Sequence, residues 1–119
     1  MSIVEFDLEI NQAASNPFEF QWVDSNGLPA DFTGCKAFLQ VRQAKMAPVV
    51  LIELSTENGR ITFDGNSIVV NFLPSDTESA LWNRAYYDLL LVYQDGFRIR
   101  FSEGRVRLSR AVTRGVNQA

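Results

Sequence analysis

At 119 residues the chain is the size of one domain, long enough to bury about two-thirds of its unfolded surface and to fold without metals or disulfides. Hydrophobic residues make up 46%, nine of them Phe, against 21% charged, which excludes a disordered chain. With no histidine, one cysteine (Cys35) and a formal net charge of −3, the sequence lacks the commonest general base and metal ligand and cannot form an internal disulfide framework.

The start, Met-Ser-Ile-Val-Glu-Phe-Asp-Leu-Glu, has no basic n-region and no continuous apolar stretch, so it does not read as a signal peptide. No apolar run approaches the roughly 18 residues of a membrane span. The expectation is synthesis in a reducing cytoplasm, with no membrane partner.

In chain order, Val4, Phe6, Leu8 and Ile10 alternate with Glu5, Asp7 and Glu9, the period of a half-buried strand. Phe18, Phe20 and Trp22 then alternate with polar positions up to the turn residues Asp24-Ser25-Asn26-Gly27. From Cys35 to Gln43, Cys35, Ala37, Leu39 and Val41 share one face and only Phe38 breaks the pattern. Val49 to Leu54 is an apolar run, Glu57-Asn58-Gly59 a turn, Arg60 to Phe63 a short strand, Asp64-Gly65-Asn66 another turn, and Ser67 to Leu73 a further strand. Turns at this spacing are those of a β-sandwich or barrel.

Pro74-Ser75-Asp76-Thr77-Glu78 offers a capping box with Ser75 as N-cap and Glu78 three residues on, predicting one short helical segment over 76–82. Tyr86 to Gln94 is the most apolar stretch, and Asp95-Gly96 signals a two-residue hairpin into Phe97. In that second arm Phe97, Ile99 and Phe101 alternate with Arg98 and Arg100, but beyond Gly104 the apolar positions become Val106 and Leu108. A β-bulge at Glu103-Gly104 would restore the inward face, and a second turn is the alternative. Residues 1–114 read as a single domain and 115–119 as a flexible tail.

Charge is distributed unevenly. Residues 1–33 hold six carboxylates and no Lys or Arg, whereas residues 96–119 hold six Arg against Glu103 alone. Glu5, Asp7 and Glu9 are too regular and too solvated to act as a tuned catalytic pair. Arg98, Arg100, Arg105 and Arg107 form a basic stripe that could contact phosphates or pair with the acidic first strand, within one chain or between subunits. An acidic overall balance argues against nucleic acid, and complementary acidic and basic edges suit head-to-tail assembly. Asp88, inside the most apolar strand, needs a partner, such as backbone or an arginine like Arg42. Cys35 reads as a small buried hydrophobe. Phe18, Phe20 and Trp22 read as core, and Trp82 as the exposed aromatic and a candidate interface anchor.

Between residues 24 and 114 the turn and strand signatures fall in a familiar order: Gly27-Leu28-Pro29-Ala30-Asp31-Phe32-Thr33-Gly34, Leu39-Gln40-Val41-Arg42, Ser55-Thr56-Glu57-Asn58-Gly59-Arg60-Ile61, Tyr87-Asp88-Leu89, Asp95-Gly96, Glu103-Gly104-Arg105-Val106 and Val112-Thr113-Arg114. This order resembles a family of small phage and prophage structural proteins, similar in style to the N-terminal immunoglobulin-like module of baseplate upper proteins. Arg84-Ala85 stands where a glycine-containing turn belongs in that pattern, and the acidic first strand lies outside it.

The resemblance implies an all-β, immunoglobulin-like antiparallel sandwich. It implies a non-enzymatic virion structural or assembly protein of tail or baseplate type, without cofactor or metal, made in the bacterial cytoplasm and then incorporated into the virion. Its partners would be other phage structural proteins, with a homo-oligomer possible. The alternative is a host-surface or glycan-binding module. The candidate interface residues are Glu5, Asp7, Glu9, Trp82, Arg98, Arg100, Arg105 and Arg107, and the structural ones Asp88, Arg42, Gly96 and Gly104.

Overall fold

The computed structural model describes residues 4–114 and 116. Nine strands appear among them: β1 (Val4–Glu5), β2 (Leu8–Asn11), β3 (Asn16–Gln21), β4 (Lys36–Arg42), β5 (Ile52–Ser55), β6 (Ile61–Asp64), β7 (Ser67–Phe72), β8 (Arg84–Val92) and β9 (Arg98–Ser109). A three-stranded sheet runs β3-β7-β6, and a six-stranded sheet runs β9-β8-β4-β5 with β1 and β2 lined up along the outer side of β9. The expected frayed tail at 115–119 falls, apart from Val116, outside the described residues.

The inner faces follow the alternation of the sequence. Ala37, Leu39 and Val41 of β4 meet Leu89 and Leu91 of β8 within one sheet, and Ile61, Ile68, Val70 and Phe72 from the other, all buried. Cys35 is buried as well, and burial pushes its thiol up, away from the reactive thiolate. Phe18, Phe20 and Trp22 pack partly buried against this core. Trp22 lies 5.6 Å from Phe101 and 6.0 Å from Phe32, whose ring stacks on Phe63 at 4.8 Å. These aromatics extend the core, to which large rings contribute much of the buried area.

Labelled in the usual immunoglobulin order, β3 to β9 are strands B, C, C′, D, E, F and G, giving B-E-D against G-F-C-C′. The chain is therefore an immunoglobulin-like β-sandwich. The Cys pair and the Trp of antibody domains are replaced by aliphatic and aromatic packing, with Leu39 on β4 and Leu89 on β8 at full burial.

The first strand departs from a simple alternating ladder. β1 and β2 pair with β9 in parallel, in one register from Val4↔Ser102 to Asn11↔Ser109, with a break at Phe6-Asp7. Leu8 and Ile10 face the core, whereas Val4 and Phe6 are nearly half exposed. At the break the Phe6 N–H donates to the Glu103 carbonyl at 3.0 Å, as a parallel ladder requires. The Arg105 N–H then goes to the Asp7 carboxylate at 2.9 Å. The Phe6 carbonyl thereby freed accepts from the Tyr87 hydroxyl and lies against the Cα of Gly104.

Three local expectations are corrected. The helical segment over 76–82 is only a 3-10 turn at Pro74–Asp76, followed by a turn at 77–79. Here the Asp76 carboxylate, not Ser75, caps by accepting the Leu73 N–H at 2.7 Å, and Arg60 pairs with it at 2.5 Å. Thr77 is fully buried because its hydroxyl accepts the Ala13 N–H at 2.9 Å, closing that end of the sandwich, which leaves no chain for further helical turns.

The bulge on β9 lies at Phe101-Ser102, since Leu89 pairs with Ser102 and Leu90 with Arg100. Both bulged residues are buried, the serine because its hydroxyl meets Tyr87 at 2.9 Å. Gly104, which has no positive φ, admits the Phe6 backbone instead. The β8–β9 hairpin forms where Asp95-Gly96 predicts it but is wider than two residues. Gly96, at φ +91°, donates to Tyr93 O at 2.9 Å, and Tyr93 N–H donates to Phe97 O at 2.8 Å.

Candidate functional site

The outer face of the six-stranded sheet is where the charged candidates gather. Antiparallel register sets Arg84 opposite Arg107, Tyr86 opposite Arg105, Asp88 opposite Glu103 and Leu90 opposite Arg100. Paired residues project to the same side, so β8 and β9 build this face together. On the far side of β9, Glu9 is aligned with Arg107 and Glu5 with Glu103. The two ends of the sequence, acidic and basic, are thus neighbours within one sheet.

Tyr86, half buried, is the centre. It lines three shallow depressions of about 610, 320 and 230 Å³. The largest is lined by Arg84, Arg105 and Arg107 together with Asp7 and Glu9. The second holds Arg42, Asp88, Arg100 and Glu103, and Lys45 reaches the second and third from the loop between β4 and β5. That loop is tied down by Arg42, whose guanidinium donates to Ala47 O at 2.6 Å and to Gln40 Oε1 at 2.9 Å.

Asp88 is not enclosed by apolar neighbours: its side chain is 48% exposed and its partner is Arg100, at 3.5 Å, not Arg42. The alternation of β8 puts Tyr87 and Leu89 inward and Asp88 outward, so no buried charge arises. Arg100 also approaches Glu103 at 3.6 Å, bridging two carboxylates that the register places side by side. Arg98 is exposed at the hairpin end of β9, opposite Val92. Of the acidic strand, Asp7 is engaged by the Arg105 amide, whereas Glu5 and Glu9 are exposed.

Trp82 is corrected outright. It is 8% exposed, part of the core, and the exposed apolar side chain at that corner is its neighbour Leu81 at 93%. The short turn ahead of it ends early, and the chain enters β8 with the indole turned inward.

The sequence reading missed Arg84, Tyr86 and Lys45. Tyr86 was legible in principle, because strict alternation through β8 puts it on the face opposite Tyr87. Arg84 and Lys45 were not: their place beside the β9 arginines depends on strand register and on the path of a loop. Among the described residues no group of three or more His, Cys, Asp or Glu is placed to hold a metal, and no helix is long and apolar enough to cross a membrane.

No family model and no curated protein matches the chain. Among solved structures it is similar to Drosophila OTK extracellular domains 3–5, with 14% identity and a TM-score of 0.38 over 86% of this chain and 32% of that one. It therefore spans about a third of that structure. It is also similar to the extracellular domain of the voltage-gated sodium channel β4 subunit, described as a parallel homodimer with a role in cell–cell adhesion. There identity is 12% and the TM-score 0.41, over 94% of this chain and 98% of that one. The fold assignment rests on strand order and not on these likenesses.

Proposed function

We propose that the chain is a non-enzymatic binding module that works through protein contacts on the outer face of its six-stranded sheet. We place it as a structural or assembly component of a bacteriophage or prophage particle, of tail or baseplate type, made in the bacterial cytoplasm and then built into the virion. The contact reading rests on one observation: Tyr86, half buried, sits among charges of both signs on a broad open face. A rigid aromatic ringed by polar groups is the usual anatomy of an interface centre. The viral setting is supported by the order of short motifs between residues 24 and 114.

Two measurements test this. Mass spectrometry of particles purified after prophage induction is expected to find the chain at stoichiometric copy number; expression without incorporation overturns the virion setting. Tyr86→Ala is expected to keep the melting temperature within a few degrees while weakening incorporation about tenfold or more. Unchanged incorporation removes this face from the contact.

The glycan-binding alternative is the weaker reading. It calls for exposed aromatics beside Asn or Asp: neither tryptophan serves, since Trp82 is buried and Trp22 packs between Phe32 and Phe101, which leaves Phe6 and Phe97 as exposed rings.

A further inference from the structure

We propose that Arg84, Arg105 and Arg107 dock an extended acidic segment of a partner protein, whose carboxylates, two residues apart, enter the depression beside Tyr86. The proposal rests on the protein-contact reading of this face and names the chemistry of what it meets.

The first observation is an unfavourable arrangement within the fold. Arg84 and Arg107 are a directly opposed cross-strand pair, and Arg105 lies two residues from Arg107 on the same face. Like charges placed opposite each other destabilise a sheet. Elsewhere this face relieves such conflict: Arg100 bridges Asp88 and Glu103. Here it does not, because among the described residues none of the three guanidinium groups has a carboxylate within 4.0 Å. Of the two carboxylates that line the same depression, Asp7 has its Oδ1 committed to the Arg105 backbone N–H, and Glu9, aligned with Arg107, makes no ion pair within 4.0 Å. Three arginines against the two carboxylates Asp7 and Glu9 leave the depression net positive, a charge that an anion from outside would offset.

The second observation is geometric. Arg105 and Arg107 repeat along β9 at a spacing of about 7 Å, the rise of two strand residues. An extended segment with acidic side chains at alternate positions has the same period. Guanidinium forks bind carboxylates bidentately, and Arg84 across the strand can close on the same group. The chain itself carries such a segment in Glu5, Asp7 and Glu9, and Glu9 already lies in register beside Arg107.

The third observation selects the partner class. The basic cluster is narrow: Asp7 and Glu9 bound it on one side, and Asp88 and Glu103 lie beyond Tyr86 on the other. A nucleic-acid backbone carries a charge at every step and would run over these carboxylates in either direction. A short motif of two carboxylates fits between them.

The test is calorimetric titration of the intact protein at low salt with two blocked peptides, acetyl-Thr-Glu-Thr-Glu-Thr-amide and the same peptide with Gln for Glu. The expected result is binding of the Glu peptide alone, weakening as salt is raised. Arg107→Gln is expected to reduce it about tenfold, and Lys36→Gln, opposite Val92 at the hairpin end of the sheet, to leave it unchanged. Equal affinity for the two peptides, no binding of either, or tighter binding of an oligothymidylate overturns the proposal. Folding provides an independent reading: Arg84→Gln relieves the opposed pair and is expected to raise the melting temperature, whereas a fall shows that the arginine is structural. If Tyr86→Ala blocks particle incorporation while Arg84→Gln/Arg105→Gln/Arg107→Gln does not, the face stands and the acidic partner falls. If neither matters, both readings fall.

Discussion

Tyr87 shows how much one side chain holds in this fold. It faces inward at 4% exposure, and its hydroxyl reaches the rim to donate to the Phe6 carbonyl and to meet Ser102 Oγ at 2.9 Å. Burial pushes its phenol up from about 10 to about 12, opposed by the Ser102 hydrogen bond and reinforced by the negative charges of Asp7 and Glu103. Below pH about 10 both folded and unfolded phenols are protonated and the contribution is constant; above it the unfolded chain loses its proton first, so stability falls until the folded phenol ionises near pH 12. Tyr87→Phe is expected to cost about 1–2 kcal/mol at pH 7, because the buried Ser102 hydroxyl and the part-buried Phe6 carbonyl lose a partner. It also makes the decline between pH 10 and 12 shallower, read by urea unfolding across that range. A decline as steep as in the unaltered chain would assign the alkaline sensitivity elsewhere. At this scale the sequence carried less than its pattern suggested. Asp88 was marked as needing a partner, but the choice of Arg100 over Arg42 follows from a bulge two residues away from where alternation placed it.

At the scale of elements, most strands were readable because a sandwich buries one face of each, and a period of two survives wherever that is true. Cys35 to Val41 and Tyr87 to Leu91 obey it without exception on their buried face. The pattern failed where both faces of a segment have work. At Phe101-Ser102 the extra residue is hidden because a serine reads as outward-facing until its hydroxyl is seen against Tyr87. The short helix failed because Thr77 is drawn into the closure of the sandwich end. Gly104 was marked as structural for a bulge, whereas here it admits the Phe6 backbone in the break between β1 and β2. A methyl group there would meet the carbonyl carbon of Phe6 at 2.8 Å and the Asp7 carboxylate at 2.9 Å, so the edge strand must move. Gly104→Ala is therefore expected to destabilise by about 1–3 kcal/mol, as overpacking does. Amide exchange of Arg105 and Phe6 should accelerate while that of β4 and β7 slows or speeds only with global stability. Uniform acceleration across both sheets would mean that the edge does not move independently.

At the scale of the whole molecule, the feature least legible in the sequence is the one that closes the sandwich: the first strand pairs in parallel with the last. No local pattern announces a contact between Val4 and Ser102 or between Ile10 and Leu108, because each strand alternates in the same way whichever neighbour it meets. Only the opposite charges of the two ends hinted at it. Without residues 1–11 the 12-residue β9 becomes a free edge, a template for association with other chains, and the core loses Leu8 and Ile10, which are 2% and 0% exposed. Removing such side chains costs about 2–5 kcal/mol each, a large share of the roughly 5–15 kcal/mol that holds a domain together. A chain lacking residues 1–11 is thus expected to lose its cooperative thermal transition or to aggregate. Adding a synthetic peptide of those residues in excess should restore both the transition and a monomeric elution volume, with saturable binding. Because Glu9 lies beside Arg107, complementation should weaken several-fold as salt is raised and when the peptide carries Glu9→Gln. A truncated chain that melts like the full one would show that β9 does not need its parallel neighbour and that the acidic strand is an ornament of the edge; restoration by the peptide would show that pairing of the two ends completes the fold.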